Sequence, residues 1–89
     1  MLIQYATPQL REKLADAQHM IWSHWMLYLF SVCPVNDDGS WTIPADKAER
    51  WLRQMKTDYA DLTELEKNSD RRQADKVIAK ASEPGIVLC

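Results

Sequence analysis

The residues best suited to chemistry lie together in one segment, His19-Met20-Ile21-Trp22-Ser23-His24-Trp25. On a helix, His19, Trp22 and Ser23 share one side, because residues three and four apart are neighbours. Such a cluster has two interpretations. Aromatic residues at helical spacing commonly pack in a core, with His19 hydrogen-bonded inside it. Alternatively, the rings form a platform with a hydrogen-bonding neighbour, which suits stacking of a purine. Both interpretations stay open at the level of the sequence.

The same segment does not support catalysis or metal binding. His19 and His24 are five residues apart, about 140° around a helix, and no Asp, Glu or Cys completes a ligand set. Ser23 lies near His24, but no elbow turn or oxyanion hole accompanies it. The chain has two glycines, too few for a glycine-rich phosphate loop. We therefore expect a protein without enzymatic activity, cofactor or metal.

Basic residues recur later in the chain at helical spacing. Lys67 with Arg71, and Arg72 with Lys76, are like-charge pairs four residues apart. Such pairs cost a few tenths of a kcal/mol each on a helix. They are typical of a solvated helix face, and they are also compatible with an anionic ligand.

The elements that position these residues are three main helices, over about 8–32, 45–56 and 63–82. Thr7 is a good N-cap before Pro8, and Pro34 disfavours helix at Cys33. Thr63 and Glu66 have the spacing of a capping box. Between the first two helices, the Asn-Asp-Asp-Gly turn allows a small β-hairpin around 35–43. The first helix is apolar all round from residue 21 to 30, which predicts burial on several sides. The fold class is mostly α.

Length and composition narrow the function further. The 89 residues fit a single domain, 1–89, with 46% apolar and 27% charged residues. A net charge of −2 argues against binding to a nucleic acid polymer. The longest mostly apolar run, 20–32, is too short to span a bilayer, so we expect no membrane association. Residues 1–5 lack the features of a signal peptide.

The cysteines and large apolar residues add two expectations. Cys33 and Cys89 have no ligand spacing and predict free thiols in a cytoplasmic protein. Four Trp and four Met in so short a chain favour a core shared in a homo-oligomer. The apolar tail, residues 86–89, is predicted to pack onto the body.

Two segments resemble the RyR domain, the repeat named for ryanodine receptors. Leu14-Ala15-Asp16-Ala17-Gln18-His19-Met20-Ile21-Trp22 resembles its first helix, where an LAE stretch precedes a His-x-x-Trp pair. A second signature of the family is resembled by residues 59–70. There an aromatic residue, Tyr59, is followed by Leu62, an acidic Glu-Lys pair and Asp70. The two matches bracket residues 14–70. The family's Gly-Trp-x-Tyr-Gly segment is missing, so the chain looks more like the short stand-alone versions of bacteria and phages.

The resemblance implies a ligand and the residues that contact it. Domains of this family are thought to recognise nucleotides, and the Trp of His-x-x-Trp lies beside the base. Trp22 would then stack the base, with His19 at the ligand edge and Trp25, Trp41 or Trp51 as a second wall. The remaining expected ligand-binding residues are Tyr59, Lys67 and Arg71.

These expectations give two hypotheses. The first is a RyR-like module that binds a nucleotide-type small molecule. It would be a phage or prophage protein that sequesters a defence signal in the cytoplasm of a bacterial host. The alternative is a homo-oligomeric interaction module, a dimer, without a small-molecule ligand.

Overall fold

The computed structural model describes residues 8–83, which form three helices and one short helical turn. Helix α1 spans Pro8–Val32, α2 spans Ala45–Met55 and α3 spans Glu64–Ala81. A 3-10 turn, Tyr59–Asp61, lies between α2 and α3. The prediction of a mostly α fold with three main helices is confirmed. The predictions for Thr7, for the apolar tail and for Cys89 fall outside the described residues.

The segment after α1 forms a compact turn rather than a hairpin with strands. Val35 and Trp41 pair in an isolated antiparallel bridge. Gly39 has φ +88°, a conformation that its lack of a Cβ makes accessible. The Trp41 ring packs edge-on against Phe30 of α1, with ring centroids 4.8 Å apart. The predicted hairpin is therefore reduced to one bridge, because two short segments pair too few residues to build a ladder.

Helix α3 begins with the predicted capping box. The Thr63 hydroxyl accepts a hydrogen bond from the Glu66 amide at 3.2 Å, and Glu66 Oε1 accepts one from the Thr63 amide at 3.2 Å. The Glu66 carboxylate also pairs with the Arg53 guanidinium of α2. One side chain thus caps α3 and connects it to α2.

Helices α1 and α3 run antiparallel and make the main helix–helix contact. The direction follows from the ion pairs between them. Asp16 pairs with Lys80 at 2.8 Å, and Lys13, one turn earlier, pairs with Glu83 at 3.4 Å, one turn later. Ala17 lies beside the first pair and is fully buried, so the small side chain lets the helices approach closely.

The core formed by residues 8–83 is very small. In the range 8–83 the buried residues are Ala17, Cys33 and Gln73. The predicted burial of α1 on several sides is therefore wrong for one chain: Met20, Trp22, Leu27 and Phe30 are all exposed. The physical reason is that three helices offer α1 neighbours along only part of its circumference. Within residues 8–83 no helix is long and apolar enough to cross a membrane.

Candidate functional site

His19 and Trp22 form a stacked pair on the surface of α1. Their ring centroids are 5.8 Å apart and their planes meet at 21°. Three residues along a helix bring both side chains to one side, which explains the contact. Trp22 is 55% exposed and His19 is exposed as well. The single chain therefore presents this pair to solvent rather than packing it in a core.

Trp25 belongs to a different group of rings. It packs edge-on against His24, at a centroid distance of 4.8 Å, and against Tyr28, at 6.4 Å. Tyr28 in turn packs edge-on against Trp51 of α2, at 6.2 Å. Trp25 is three residues from Trp22, yet no ring contact joins the two within residues 8–83, because the Trp25 ring packs with Tyr28 toward α2 instead.

Tyr59, Lys67 and Arg71 do come together, at the start of α3. The Lys67 ammonium lies 5.7 Å from the centre of the Tyr59 ring. Both basic side chains approach Glu64, Arg71 at 3.0 Å and Lys67 at 3.9 Å. A hydrogen bond from Arg71 lowers the pKa of Glu64, and the same bond raises the pKa of Arg71. An anion at this place would have to compete with the Glu64 carboxylate.

The expected ligand residues therefore divide into three places. His19 and Trp22 form the surface pair, Trp25 joins Tyr28 and Trp51, and the remaining three residues surround Glu64. Within residues 8–83 no hydrogen bond, ion pair or ring contact joins the His19–Trp22 pair to Tyr59, Lys67 or Arg71. The geometry does not assemble one pocket from all six.

A half-open cavity of about 730 Å³ lies where the three helices meet. Its size is within the usual range for small-molecule sites, roughly 300–1,000 Å³. Most of the wall is aromatic or aliphatic, and two carboxylates, from Glu66 and Asp70, complete it. Lysine and arginine are absent from its lining in the described chain. The aromatic walls are Trp25, Tyr28 and Trp51.

The charges around this cavity are unevenly balanced. Glu66 accepts a hydrogen bond from Arg53, which is the main reason that the pKa of Glu66 is lowered. Arg50 donates a hydrogen bond to the Tyr28 hydroxyl at 2.9 Å. Asp70 makes no ion pair or hydrogen bond with another side chain in the range 8–83. The Asp70 carboxylate is therefore the uncompensated charge of the lining.

The sequence interpretation found part of this cavity. Trp25 was expected at a ligand, and Trp51 was one candidate for a second wall. Tyr28 and Asp70 were missed as site residues. Tyr28 had a usable signal, since it follows Trp25 by three residues on the same helix. Asp70 had none, because its place depends on how α3 packs against α1.

A second surface feature is an apolar face on α1. Met20, Ser23, Leu27 and Phe30 follow one another at spacings of three, four and three residues, which puts them on one side of the helix. Leu27 is 75% exposed although it lies within a 25-residue helix. Trp41, packed on Phe30, extends this face into the turn.

Within residues 8–83, no three His, Cys, Asp or Glu side chains come close enough together to hold a metal ion. Comparisons with protein-family models, with curated proteins and with solved structures find no match to this chain. The resemblance to the RyR domain stays a prediction from the residues that carry it.

Proposed function

We propose that this protein is a non-enzymatic helical module that pairs with a second copy of itself through the apolar face of α1. The observation that carries the proposal is the exposure of Met20, Leu27 and Phe30 in the single chain. Burial of a leucine or phenylalanine side chain contributes roughly 1.5–3 kcal/mol. Met20, Leu27 and Phe30 are 41%, 75% and 48% exposed, so part of that stabilisation is gained when another surface covers them.

The spacing along the face favours a second copy as the occupant. Symmetric dimers use one patch against itself, so the patch must be self-complementary. Positions 20, 23, 27 and 30 are symmetric about position 25. A two-fold axis there places Met20 against Phe30 of the second copy, and Ser23 against Leu27. Each large side chain at the centre meets a small one, which is how helix surfaces interdigitate.

The charge pattern supports the same occupant. The chain has no Asp, Glu, Lys or Arg from position 17 to position 36. Near a two-fold axis every charge approaches its own copy, and like charges in contact are unfavourable. The uncharged stretch covers α1 from Ala17 to its end, a length of roughly 24 Å at about 1.5 Å per residue. Two copies of α1 can therefore pair antiparallel without bringing like charges together.

Sedimentation velocity over a concentration series tests the proposal with one disruptive variant and one matched control. Leu27→Glu puts a carboxylate at the centre of the face. Because Leu27 is already exposed in the single chain, the change should leave the fold intact. Leu65→Glu makes the same change at a residue that is 82% exposed on α3, outside the face.

We expect the wild type and Leu65→Glu to dimerise at tens of micromolar, and Leu27→Glu to stay monomeric with an unchanged circular dichroism spectrum. A wild type that is monomeric throughout the series would refute self-association. A Leu27→Glu protein that dimerises like the wild type would show that another surface is used.

A second candidate function is recognition of a nucleotide-type ligand at His19 and Trp22. The observation that favours it is the exposure and near-parallel stacking of these two rings, since a base can stack on an accessible aromatic face for about 1–3 kcal/mol. In this proposal Lys67 and Arg71 bind the ligand's phosphate only if they first release the Glu64 carboxylate. The resemblance to the RyR domain supports the choice of ligand class.

A thermal-shift panel of adenine nucleotides, ADP-ribose derivatives and cyclic oligonucleotides tests this second function. A ligand at one hundred times its dissociation constant adds about 2.7 kcal/mol to stability, which is a shift of roughly 10 °C for a domain of this size. Trp22→Ala should abolish the shift and leave the unliganded protein folded, because Trp22 is more than half exposed. A flat panel with folded protein would refute it.

A further inference from the structure

We propose that the cavity between the three helices binds a small organic cation with an apolar body, such as an aryl quaternary ammonium compound. This site lies on a different part of the surface from the apolar face of α1, and it does not depend on dimerisation. Three observations carry the proposal: the aromatic walls, the angles between them and the single uncompensated carboxylate.

The walls contain three electron-rich rings. Trp25, Tyr28 and Trp51 line the cavity together. Tryptophan and tyrosine attract a cation within about 6 Å of the ring centre, and the attraction grows when water is excluded. The aliphatic side chains of Met26 and Leu29 complete the wall and suit the apolar body of the ligand.

The angles between the rings favour a cation over a flat base. Trp25 and Tyr28 meet at 85°, and Tyr28 and Trp51 meet at 65°. A planar base needs two nearly parallel rings to lie between. Rings at steep angles suit a rounded group such as trimethylammonium better, because that group needs no flat, parallel surface on either side.

The charge of the lining sets the sign of the ligand. Arg53 pairs with Glu66, so that carboxylate is already compensated. Asp70 has no such partner in the described part of the chain, and no basic side chain there lines the cavity. Among the lining side chains Asp70 is thus the carboxylate without a partner, and it favours a monocation over a phosphate group, although Arg50 bonds the Tyr28 hydroxyl from outside the lining. This is the reason that the cavity suits a ligand of opposite charge to a nucleotide.

Isothermal titration of the full chain with phenyltrimethylammonium tests the site, and tert-butylbenzene serves as the neutral probe of the same shape. Asp70→Asn is the site variant. Asp75→Asn is its matched control, because it removes the same charge from the same helix at a residue that does not line the cavity. Trp51→Phe keeps the ring and reduces its electron-rich area.

We expect saturable binding of the cation, with the neutral probe and the Asp70→Asn variant each weaker by about fivefold to tenfold. Trp51→Phe should weaken the cation more than the neutral probe, and Asp75→Asn should change little. Equal binding of the two probes would overturn the proposal, because the cavity would then select only for apolar shape. Equal weakening by Asp70→Asn and Asp75→Asn, or no binding to folded protein, would overturn it as well.

The result of the cation titration does not depend on whether the protein dimerises. Leu27→Glu lies outside the cavity lining and should bind phenyltrimethylammonium like the wild type. Loss of binding in this folded variant would overturn the independence of the site from the apolar face.

Discussion

The side chain of Gln73 predicts a substitution that stabilises the protein. It lies on the α3 surface that faces α1 and is 7% exposed, and its Oε1 atom has no hydrogen-bond partner in the range 8–83. A buried acceptor without a partner costs about 1–3 kcal/mol. Methionine has a similar length and helix propensity and no strong acceptor. We therefore expect Gln73→Met to raise the free energy of unfolding by about 1–2 kcal/mol.

Thermal and urea denaturation at one fixed protein concentration measure this change. A gain of 1 kcal/mol raises Tm by roughly 4–8 °C for a domain of this size. The slope of the free energy of unfolding against urea concentration should stay the same. Gln18→Met is the control, since Gln18 is exposed on α1 and the same exchange there should stay within about 0.5 kcal/mol. A Gln73→Met protein that is less stable than the wild type would refute the reasoning, because the amide would then be shown to make a favourable bond.

Three further predictions concern the turn, the cap and the ion pairs. Thr63→Ala should lower stability by about 1 kcal/mol while Thr63→Ser retains it; equal losses in urea denaturation would contradict the capping role. Gly39→Ala should lower Tm, since φ +88° disfavours a side chain by about 1–2 kcal/mol, and an unchanged Tm would contradict this. Four carboxylates have pKa values held below normal by their basic or hydrogen-bonding partners. Each ionised carboxylate therefore stabilises the fold above its unfolded pKa, and this stabilisation is lost progressively as pH falls below about 5. A Tm that is flat from pH 6 to pH 3 would contradict the last prediction. The carboxylates concerned are Asp16, Glu64, Glu66 and Glu83.

The local structure of this protein could be predicted from its sequence. Pro34 after the first helix and the Thr63–Glu66 capping box at the start of the third set helix boundaries through interactions of a few neighbouring residues. The turn at Gly39 follows from the same kind of short-range chemistry. Such features depend on backbone geometry and on side chains within one helical turn, so the order of residues is sufficient to place them.

The candidate sites depended on which helix faces meet, and no local pattern determines that. Trp22 was open to interpretation as core or platform, and only the antiparallel packing of α1 on α3 leaves it in solvent. Trp51 and Asp70 are 19 residues apart on different helices, yet they line one cavity with Trp25. The sequence identified the aromatic residues and the charges as separate features. Tertiary packing decided which of them share a site, because contacts between distant residues depend on how whole helices bury their surfaces.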